Sequence, residues 1–402
     1  MRYMLRCADC GYFFKEDTFY NECPKCGGLI ETIIKNIKKA KPDEKYKTIM
    51  KYHEFLPIDD INSLAKYESS KSTPIIEGKN IAKKFGFKRL LMKDETLHDT
   101  FTWKDRECLL TMNRLIIHNI NGMILSSAGN TGIAVSYYAS KIKRPKVHLF
   151  LPKCSKPRTE ELLNRFSSKD IVNIIHVDGS NDEAAVHAEK LSKETGFPII
   201  TGFKNYSRRE GTKTFALEYL FENKIRADWY IQGVGGAIGI YGFYKAHKDL
   251  DIQCPHIAGA QAEACSPFVD ALRDNAEKLT DKYIPPQPVI VPEAPVLKSR
   301  KPVFAYPYIK RIINETSGHF EKVSAEQIVD AFHTFYIEDY FKEKYKKTGL
   351  RVGLEASTAL AGIIKMKENG IVNGNETVLL NVSGAARPTD IRDEWWDKNL
   401  IK

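Results

Sequence analysis

Three short segments of the chain carry groups that can do chemistry. Lys104 lies in Thr-Trp-Lys-Asp-Arg (102–106), a polar loop follows at 126–132 (Ser-Ser-Ala-Gly-Asn-Thr-Gly), and glycines cluster in Gly-Val-Gly-Gly-Ala-Ile-Gly (233–239). The lysine offers an amine that can bond to an aldehyde. The polar loop can bind a carboxylate, and the glycine loop can cradle a phosphate.

Lys104 stands out from the many other lysines, most of which are expected to be solvated surface side chains. Phe101 and Trp103 precede it, and a helix is predicted to begin just after it, at Arg106. Aromatic cover and a helix N-terminus both disfavour an ammonium ion, so they favour a nucleophilic amine. We therefore predict that Lys104 is the catalytic lysine.

The loop 126–132 is predicted to connect a buried strand to a helix. The helix N-terminus favours a carboxylate, and Gly129 lets a ligand approach the backbone closely. An ordinary helix cap would use the same residue types, but polar groups are denser here than a cap requires. We predict that an anionic substrate binds at four residues of the loop: Ser127, Ala128, Gly129 and Thr131.

The glycine loop is predicted to lie between a strand and a helix, where backbone N–H groups and the helix dipole bind phosphate. Glycines also make plain turns, so this loop alone is a weak signal. It breaks the Gly-x-Gly-x-x-Gly order of dinucleotide sites and lacks the lysine of a nucleotide P-loop. A small phosphate-bearing cofactor fits better, held by Gly233, Val234, Gly235, Gly236 and Ala237.

Ser383 follows a predicted strand and precedes Gly384. Its neutral hydroxyl can meet the ring nitrogen of a pyridine, although a strand-ending turn would also use a serine. An amine for an aldehyde, a carboxylate loop, a phosphate loop and this hydroxyl are together typical of a pyridoxal-phosphate (PLP) enzyme that acts on an amino acid.

Four of the eight cysteines form two Cys-x-x-Cys pairs: Cys7, Cys10, Cys23 and Cys26. Two such pairs place four thiolates around one ion, and Gly27 and Gly28 permit the tight turn. The pattern predicts a structural zinc ribbon, because all four ligands come from the protein and none is left to water. An iron site of the same geometry is the alternative.

The composition is that of a globular protein long enough, at 402 residues, for two or three domains. The chain has no run of 18 apolar residues, and its start lacks the apolar core of a signal peptide, so we expect a cytoplasmic protein without a membrane partner. The net charge is +10, but lysines alternate with acidic residues, as in 342–347. We therefore expect no nucleic-acid partner, and a positive field that attracts small anions.

Strands and helices alternate from about residue 86. The predicted strands are 90–93, 122–127, 147–152, 174–179, 229–232, 256–262 and 377–382, and the predicted helices are 106–120, 133–140, 182–195 and one from 238. This alternation predicts α/β domains with mostly parallel sheets, which bind ligands at the carboxyl ends of their strands. Six prolines in 281–302 predict a long, stiff connection.

The chain resembles the threonine synthase family of fold-type II PLP enzymes. Residues 102–106 resemble the family's Ser-Phe-Lys-Asp-Arg motif and 127–132 its carboxylate loop, while 209–211, 259–263 and the ribbon also fit. The resemblance implies a tryptophan synthase β-like fold of two doubly wound α/β domains. It further implies that Lys104 holds PLP, that Asn130 contacts the phenolic oxygen of the cofactor, and that Arg209 binds substrate.

The same resemblance divides the chain into three parts. These are a zinc ribbon (1–35), a large PLP domain (36–105 and 206–402) and a smaller α/β domain (106–205), and we expect a homodimer.

Within the family the chain is most similar to the cysteate synthases, which make cysteate from O-phosphoserine and sulfite. The matching stretches are 52–58, 104–115, 205–211, 296–302 and 380–384. The chain departs from the family at Trp103, usually Phe, at Ala237 and Ile238, often Gly, Ser or Thr, and at Ser383, frequently Thr.

The resemblance therefore implies β-replacement on O-phosphoserine with sulfite as the nucleophile. Three alternatives remain open: threonine synthase, which uses O-phosphohomoserine and water, replacement by another nucleophile, and a catalytically silent zinc-ribbon interaction protein. The basic candidates for the leaving phosphate are Lys153, Arg158, Arg208, Arg209 and Lys213.

Overall fold

The computed structural model describes residues 2–15, 19–62, 72–127, 129–200, 202–286, 297–387 and 390. The chain forms two compact units. The first unit comprises residues 1–72, 98–222 and 241–252, and the second comprises residues 73–97, 223–240 and 253–402. In the described part, no helix is long and apolar enough to span a membrane.

The strands are β1 (Tyr3–Cys7), β2 (Ile30–Ile34), β3 (Ile75–Glu77), β4 (Arg89–Asp94), β5 (Gly122–Ser126), β6 (Lys146–Pro152), β7 (Val172–Val177), β8 (Trp229–Gly233), β9 (His256–Ala262), β10 (His319–Val323) and β11 (Thr377–Val382). The α-helices are α1 (Lys79–Phe85), α2 (Lys104–Ile117), α3 (Asn130–Ile142), α4 (Lys156–Phe166), α5 (Asn181–Thr195), α6 (Tyr206–Glu222), α7 (Ile238–Leu250), α8 (Pro267–Arg273), α9 (Tyr306–Glu315), α10 (Ala325–Thr334), α11 (Asp339–Thr348) and α12 (Leu354–Glu368). Short 3-10 helices occur at Ile37–Lys39, Ile49–Phe55, Glu95–Leu97, Lys153–Ser155, Glu263–Cys265, Asp281–Tyr283 and Phe335–Ile337.

The first unit is built on a parallel three-stranded sheet in the order β5-β6-β7. Ile199 adds a parallel bridge to Ile124 at the free edge of β5. Helices α2, α3 and α4 bury aliphatic side chains such as Leu109, Ile133 and Leu163 in one core with the sheet. The carboxyl end of β5 therefore leads directly into the polar loop 126–132.

The second unit is built on a six-stranded sheet in the order β10-β9-β8-β11-β4-β3, parallel except for β3. All six residues of β11 are buried, as expected for a central strand covered on both faces. Helix α12 contributes Ala359, Leu360 and Ile363 to the core of this unit. Because β8 and β11 are neighbouring parallel strands, their carboxyl ends meet at one edge of the sheet.

The predicted alternation of strands and helices and the mostly parallel sheets are confirmed, with shifts at the element ends. Helix α2 begins at Lys104 rather than at Arg106 and ends at Ile117 rather than at Ile120. Helix α3 begins at Asn130 rather than at Ile133. Both shifts place a predicted site residue in the first turn of a helix, where free backbone N–H groups lie.

Helix α6 is a helix that the sequence did not predict, and its side chains are buried on nearly all sides. Its charged residues are satisfied by partners inside the first unit. The Arg106 guanidinium donates to both carboxylate oxygens of Glu218, at 2.7 and 2.8 Å. The Lys213 ammonium pairs with Glu210 at 2.6 Å and with Asp249 at 2.8 Å. These pairs allow a charged segment to cross the core.

The two-unit division assigns residues 36–72, 98–105 and 206–222 to the first unit, together with the N-terminal segment. The predicted division into a zinc ribbon, a large domain and a smaller domain places these residues in the large domain. That division stays a prediction. In the N-terminal segment β1 and β2 form an antiparallel pair, with Cys7 opposite Ile30.

Candidate active site

Lys104 is the first residue of α2, and its Nζ lies 5.0 Å from the centroid of the Trp103 ring. Its side chain keeps 21% of its surface exposed, so the amine can be reached from outside the core. Phe101, which we expected to cover the amine as well, instead packs against Phe166 with ring centroids 6.4 Å apart. The aromatic cover at Lys104 is therefore provided by Trp103.

The turn before Lys104 is held in an unusual conformation. Phe101 has a φ of 63°, in the left-handed region that residues other than glycine rarely occupy. The buried carboxylate of Asp105 accepts hydrogen bonds from the Thr100 N–H at 3.0 Å and from the Thr100 hydroxyl. Backbone strain of this kind clusters at functional sites, and the hydrogen bonds between Thr100 and Asp105 hold the turn at the start of α2.

The amine of Lys104 donates to Glu107, one helical turn further along α2. The distance from Nζ to Oε1 of Glu107 is 2.6 Å, and the Glu107 side chain is fully buried. The second carboxylate oxygen accepts from Nε of Arg208 at 2.8 Å and from Nη2 of the same residue. One carboxylate therefore joins the lysine to an arginine on α6.

Arg208 also reaches the polar loop. Its Nη2 lies 3.3 Å from the hydroxyl oxygen of Thr131, to which it donates. Burial alone would raise the pKa of Glu107, but the positive charges of Arg208 and Lys104 outweigh it and hold that pKa below its ordinary value. The first unit thus brings Lys104, Glu107, Arg208 and Thr131 into one hydrogen-bonded network.

The other residues of the loop 126–132 shape its backbone. The Ser127 hydroxyl accepts hydrogen bonds from the N–H groups of Gly132 at 3.1 Å and of Gly129 at 3.4 Å, which is the capping use of a serine. Asn130 begins α3 and is buried. Ala128 lies outside the described residues. The substrate roles of Ser127, Ala128, Gly129 and Thr131 and the cofactor role of Asn130 stay predictions.

Arg209 is buried, and its guanidinium donates to the backbone carbonyls of Phe203 and Ile30. It also lies against the rings of Phe203 and Tyr241, at 5.5 and 5.1 Å from their centroids. These contacts tie α6 to β2, and a substrate role for Arg209 stays a prediction. Lys153 pairs with Asp178 at the surface. Arg208 is thus the basic candidate that joins Lys104 and the loop 126–132 in one network.

In the second unit the glycine loop follows β8 and precedes α7. The side chain of any residue replacing Gly233 would meet the Glu355 carbonyl oxygen at 2.3 Å, so this position requires glycine. A side-chain atom added at Gly236 would find nothing closer than the Ser299 hydroxyl at 4.0 Å. Ala237 has a φ of 60°. The loop therefore presents open backbone at the start of a helix, which suits an anion.

Ser383 follows β11, at the same edge of the sheet as the glycine loop, and is buried. Asn381 lies two residues earlier on the same face of the strand and is fully buried. Within the described part of the chain, neither side-chain polar atom of Asn381 has a hydrogen-bond partner. A buried amide without a partner is costly and marks this strand end as a place where a polar ligand would be stabilised.

The four-cysteine cluster, Cys7, Cys10, Cys23 and Cys26, brings its sulfur atoms within 4.8 Å of one another. The Sγ atoms of Cys7 and Cys26 lie 3.5 Å apart and those of Cys10 and Cys23 lie 3.8 Å apart. Tetrahedral coordination at the usual Zn–S distance of about 2.3 Å would separate the sulfurs by about 3.8 Å. The cluster can therefore hold one metal ion, and zinc stays a prediction.

Residues 68–384 match the family model described as pyridoxal-phosphate dependent enzyme. The chain belongs to this family. The PLP-dependent enzyme is 26% identical to the threonine synthase of Methanocaldococcus jannaschii over 395 residues, covering 95% of this chain and 92% of that protein. It is 25% identical to the cysteate synthase of Methanococcoides burtonii over 405 residues, covering 96% and 89%.

The structure of maize serine racemase is similar to this PLP-dependent enzyme with a TM-score of 0.64 at 18% identity, covering 84% of this chain and 95% of that one. The likeness confirms the fold-type II α/β architecture that the sequence predicted. The residues present suit PLP: in the first unit the partly exposed Lys104 amine could hold its aldehyde, and in the second unit the open glycine loop and the Ser383 hydroxyl could hold its phosphate and its ring nitrogen.

Two residues of the candidate site were absent from the predicted set. Glu107 has a recognisable signal: it lies three residues after Lys104, where a helix is predicted to begin, and residues three apart share one face once the helix includes Lys104. Asn381 has a weaker one, a single polar residue within the apolar strand Val-Leu-Leu-Asn-Val.

Proposed function

We propose that this PLP-dependent enzyme replaces the phosphate of O-phosphoserine, with sulfite as the entering nucleophile. The observation that carries the proposal is the position of Arg208, which shares a carboxylate with Lys104 and donates to Thr131 of the polar loop. A guanidinium binds the two oxygens of a phosphate or carboxylate side by side. An arginine so close to the lysine suits an amino acid that carries an extra anionic group.

Each residue then has a separate task. Lys104 carries the cofactor and takes the proton from the α-carbon of the substrate. The backbone of 233–237 would hold the cofactor phosphate, the neutral hydroxyl of Ser383 would serve the ring nitrogen, and Asn130 would hold the ring oxygen. When bound, PLP withdraws electrons from the bonds at the α-carbon. The loop 126–132 orients the substrate carboxylate at the N-terminus of α3.

The segment 297–302 supports the choice of phosphoserine and sulfite. It belongs to the stretch 296–302, which resembles the cysteate synthases. The first residue of that stretch, Val296, lies outside the described part of the chain. Leu297 would contact a side chain at Gly233 at 3.2 Å, and Ser299 is the neighbour nearest to Gly236. The cysteate-synthase-like stretch therefore borders the glycine loop, where its basic residues Lys298 and Arg300 raise the local positive charge.

Threonine synthase activity is the second candidate. Its support is the similarity to the Methanocaldococcus jannaschii threonine synthase, which matches the chain over a comparable length. The two candidates share every residue task above and differ in the substrate carbon chain and in the nucleophile.

A product assay separates them. The purified protein with PLP is incubated with O-phosphoserine or O-phosphohomoserine, with and without sulfite, and phosphate release is followed together with mass spectrometry of the amino acids. We expect cysteate from phosphoserine and sulfite. Faster conversion of phosphohomoserine to threonine would favour the second candidate, and release of phosphate from neither would refute the proposal.

A conservative variant tests the role of Arg208. Arg208→Lys keeps the positive charge but loses the paired donors, so the KM for the phosphorylated substrate should rise by about tenfold. Lys346→Gln is the control, because Lys346 is exposed and pairs with Glu343 in the second unit. An unchanged KM in Arg208→Lys would place the substrate anion elsewhere.

We also propose that the four-cysteine cluster binds one structural zinc ion. A cytoplasmic location and a homodimer accompany the proposed function as further predictions.

A further inference from the structure

Glu107 occupies a central position between the two cations of the candidate active site. It lies one turn after Lys104 on α2, and its side chain has 0% of its surface exposed. Oε1 accepts from Lys104 and Oε2 accepts from Arg208. Each oxygen of one buried carboxylate is thus committed to a different cation.

This arrangement fixes the charge of Glu107. A buried carboxylate without partners is strongly unfavourable, whereas two charge-assisted hydrogen bonds stabilise its ionised form. The charges of Arg208 and Lys104 overcome the effect of burial, so the pKa of Glu107 stays below its ordinary value. Glu107 is therefore a permanent anion at neutral pH.

In the described part of the chain, the other titratable and polar groups near Lys104 do not supply an anion to its amine. On α2, burial raises the pKa of the Cys108 thiol well above its ordinary value, so the thiol is uncharged. The Asp105 carboxylate is directed at Thr100, and the charge of His98 acts on Asp105. From α6 the facing group is Arg208, which also donates to the neutral hydroxyl of Thr131 on α3.

We infer that Glu107 is a positioning residue that receives the protonated amine of Lys104 and couples it to Arg208. The inference rests on the proposed role of Lys104. As the α-carbon–hydrogen bond breaks, its electron pair stays with the carbon and the proton forms a new bond to Nζ. Glu107 stabilises the resulting ammonium at the start of α2.

The test measures the reactivity of Lys104 in the full-length protein freed of PLP. An amine-selective acylating reagent is applied between pH 6 and about pH 11, and labelling of the Lys104 peptide is followed by mass spectrometry. In Glu107→Gln the amine loses the anion that stabilises its protonated form. We expect labelling about tenfold faster than in the wild type at neutral pH, with the difference narrowing toward high pH as both amines lose their protons.

Two variants keep this test decisive. Glu107→Asp retains the charge and should return the labelling rate toward that of the wild type, which a loss of packing alone would not do. Glu107→Gln combined with Arg208→Gln removes both buried charges, so it avoids an unpaired guanidinium and should still label faster than the wild type. Glu343→Gln is the matched control, since Glu343 pairs with Lys346 at the same three-residue spacing on the surface.

Equal labelling of Lys104 in the wild type and in both Gln variants across the pH range would overturn the inference. Borohydride fixation of PLP followed by peptide mapping separates this failure from a failure of the proposed function. If PLP is fixed to Lys104 while the labelling rates do not change, the inference about Glu107 alone is wrong. If PLP is fixed elsewhere, the proposed role of Lys104 is wrong.

Discussion

Substituting Gly211 by alanine should push apart the two helices that carry Lys104 and Arg208. Gly211 lies on α6, and a side-chain atom added there would meet the Arg106 carbonyl oxygen at 2.3 Å and the Glu107 Cα at 2.9 Å. Both distances are shorter than ordinary van der Waals contacts. Both neighbours are backbone atoms of α2, which cannot rotate away, so the helices themselves must move.

The sign of the effect follows from two opposing contributions. Alanine favours a helix over glycine by about 1 kcal/mol. Overpacking a core position costs about 1–3 kcal/mol, and backbone neighbours favour the upper part of that range. We expect a net loss of about 1–2 kcal/mol in the free energy of unfolding, and a fall in melting temperature of roughly 2–4 °C for each kcal/mol in a unit of this size.

Urea unfolding followed by circular dichroism measures the stability change, and equilibrium titration measures PLP affinity. Because the displaced atoms belong to Arg106 and Glu107, we expect weaker PLP binding as well. Gly196→Ala is the control: Gly196 has a φ of 72° with nothing within 4 Å, so alanine pays only the left-handed penalty of about 1–2 kcal/mol. It should leave PLP binding unchanged. A Gly211→Ala protein as stable as the wild type would refute the close approach of α2 and α6.

Three further predictions concern the metal, the ring contact and pH. Elemental analysis of fresh, reduced protein should give one zinc per chain, and Cys10→Ser should lower this content and the stability of the N-terminal segment while turnover persists in the folded protein. Ser383→Ala should retain PLP but turn over more slowly, which steady-state kinetics will check. Burial raises the pKa of Asp105 from 3.8 to about 6 despite opposing effects of His98 and Thr100. Between about pH 6 and pH 3.8 the folded state therefore binds a proton at Asp105 that the unfolded state does not bind. The free energy of unfolding should rise as the pH falls through about 6. Urea unfolding should show a smaller rise in Asp105→Asn.

Much of the fold could be predicted from the sequence because its local signals agree with the final packing. The apolar segments that became β5, β8 and β11 each end in polar or glycine-rich residues, so strand, carboxyl end and loop could be recognised together. Lys104, the glycine loop and Ser383 lie at element ends, as their sequence context predicts, whereas the last three residues of the loop 126–132 belong to α3. Their chemical roles stay predictions.

What could not be predicted depends on contacts that are distant in sequence. Helix α6 has no apolar stripe, because Arg209, Glu210 and Lys213 are buried by pairing with β2, Phe203 and Asp249 rather than by facing solvent. The sequence also could not show which of Arg208 and Arg209 lies beside Lys104, because this too depends on contacts distant in sequence. The two arginines are adjacent in sequence, yet Arg208 meets Glu107 while Arg209 is bound by backbone carbonyls.

The covalent attachment of PLP to Lys104 is the claim on which the account depends most. Borohydride reduction of the purified protein with PLP, followed by proteolysis and mass spectrometry, identifies the lysine that carries the cofactor. We predict a single modified peptide containing Lys104, and none at this position in Lys104→Ala, whose fold should survive because the side chain is partly exposed at a helix start. Modification of a different lysine in the wild type, or persistent fixation of PLP in Lys104→Ala, would contradict the account.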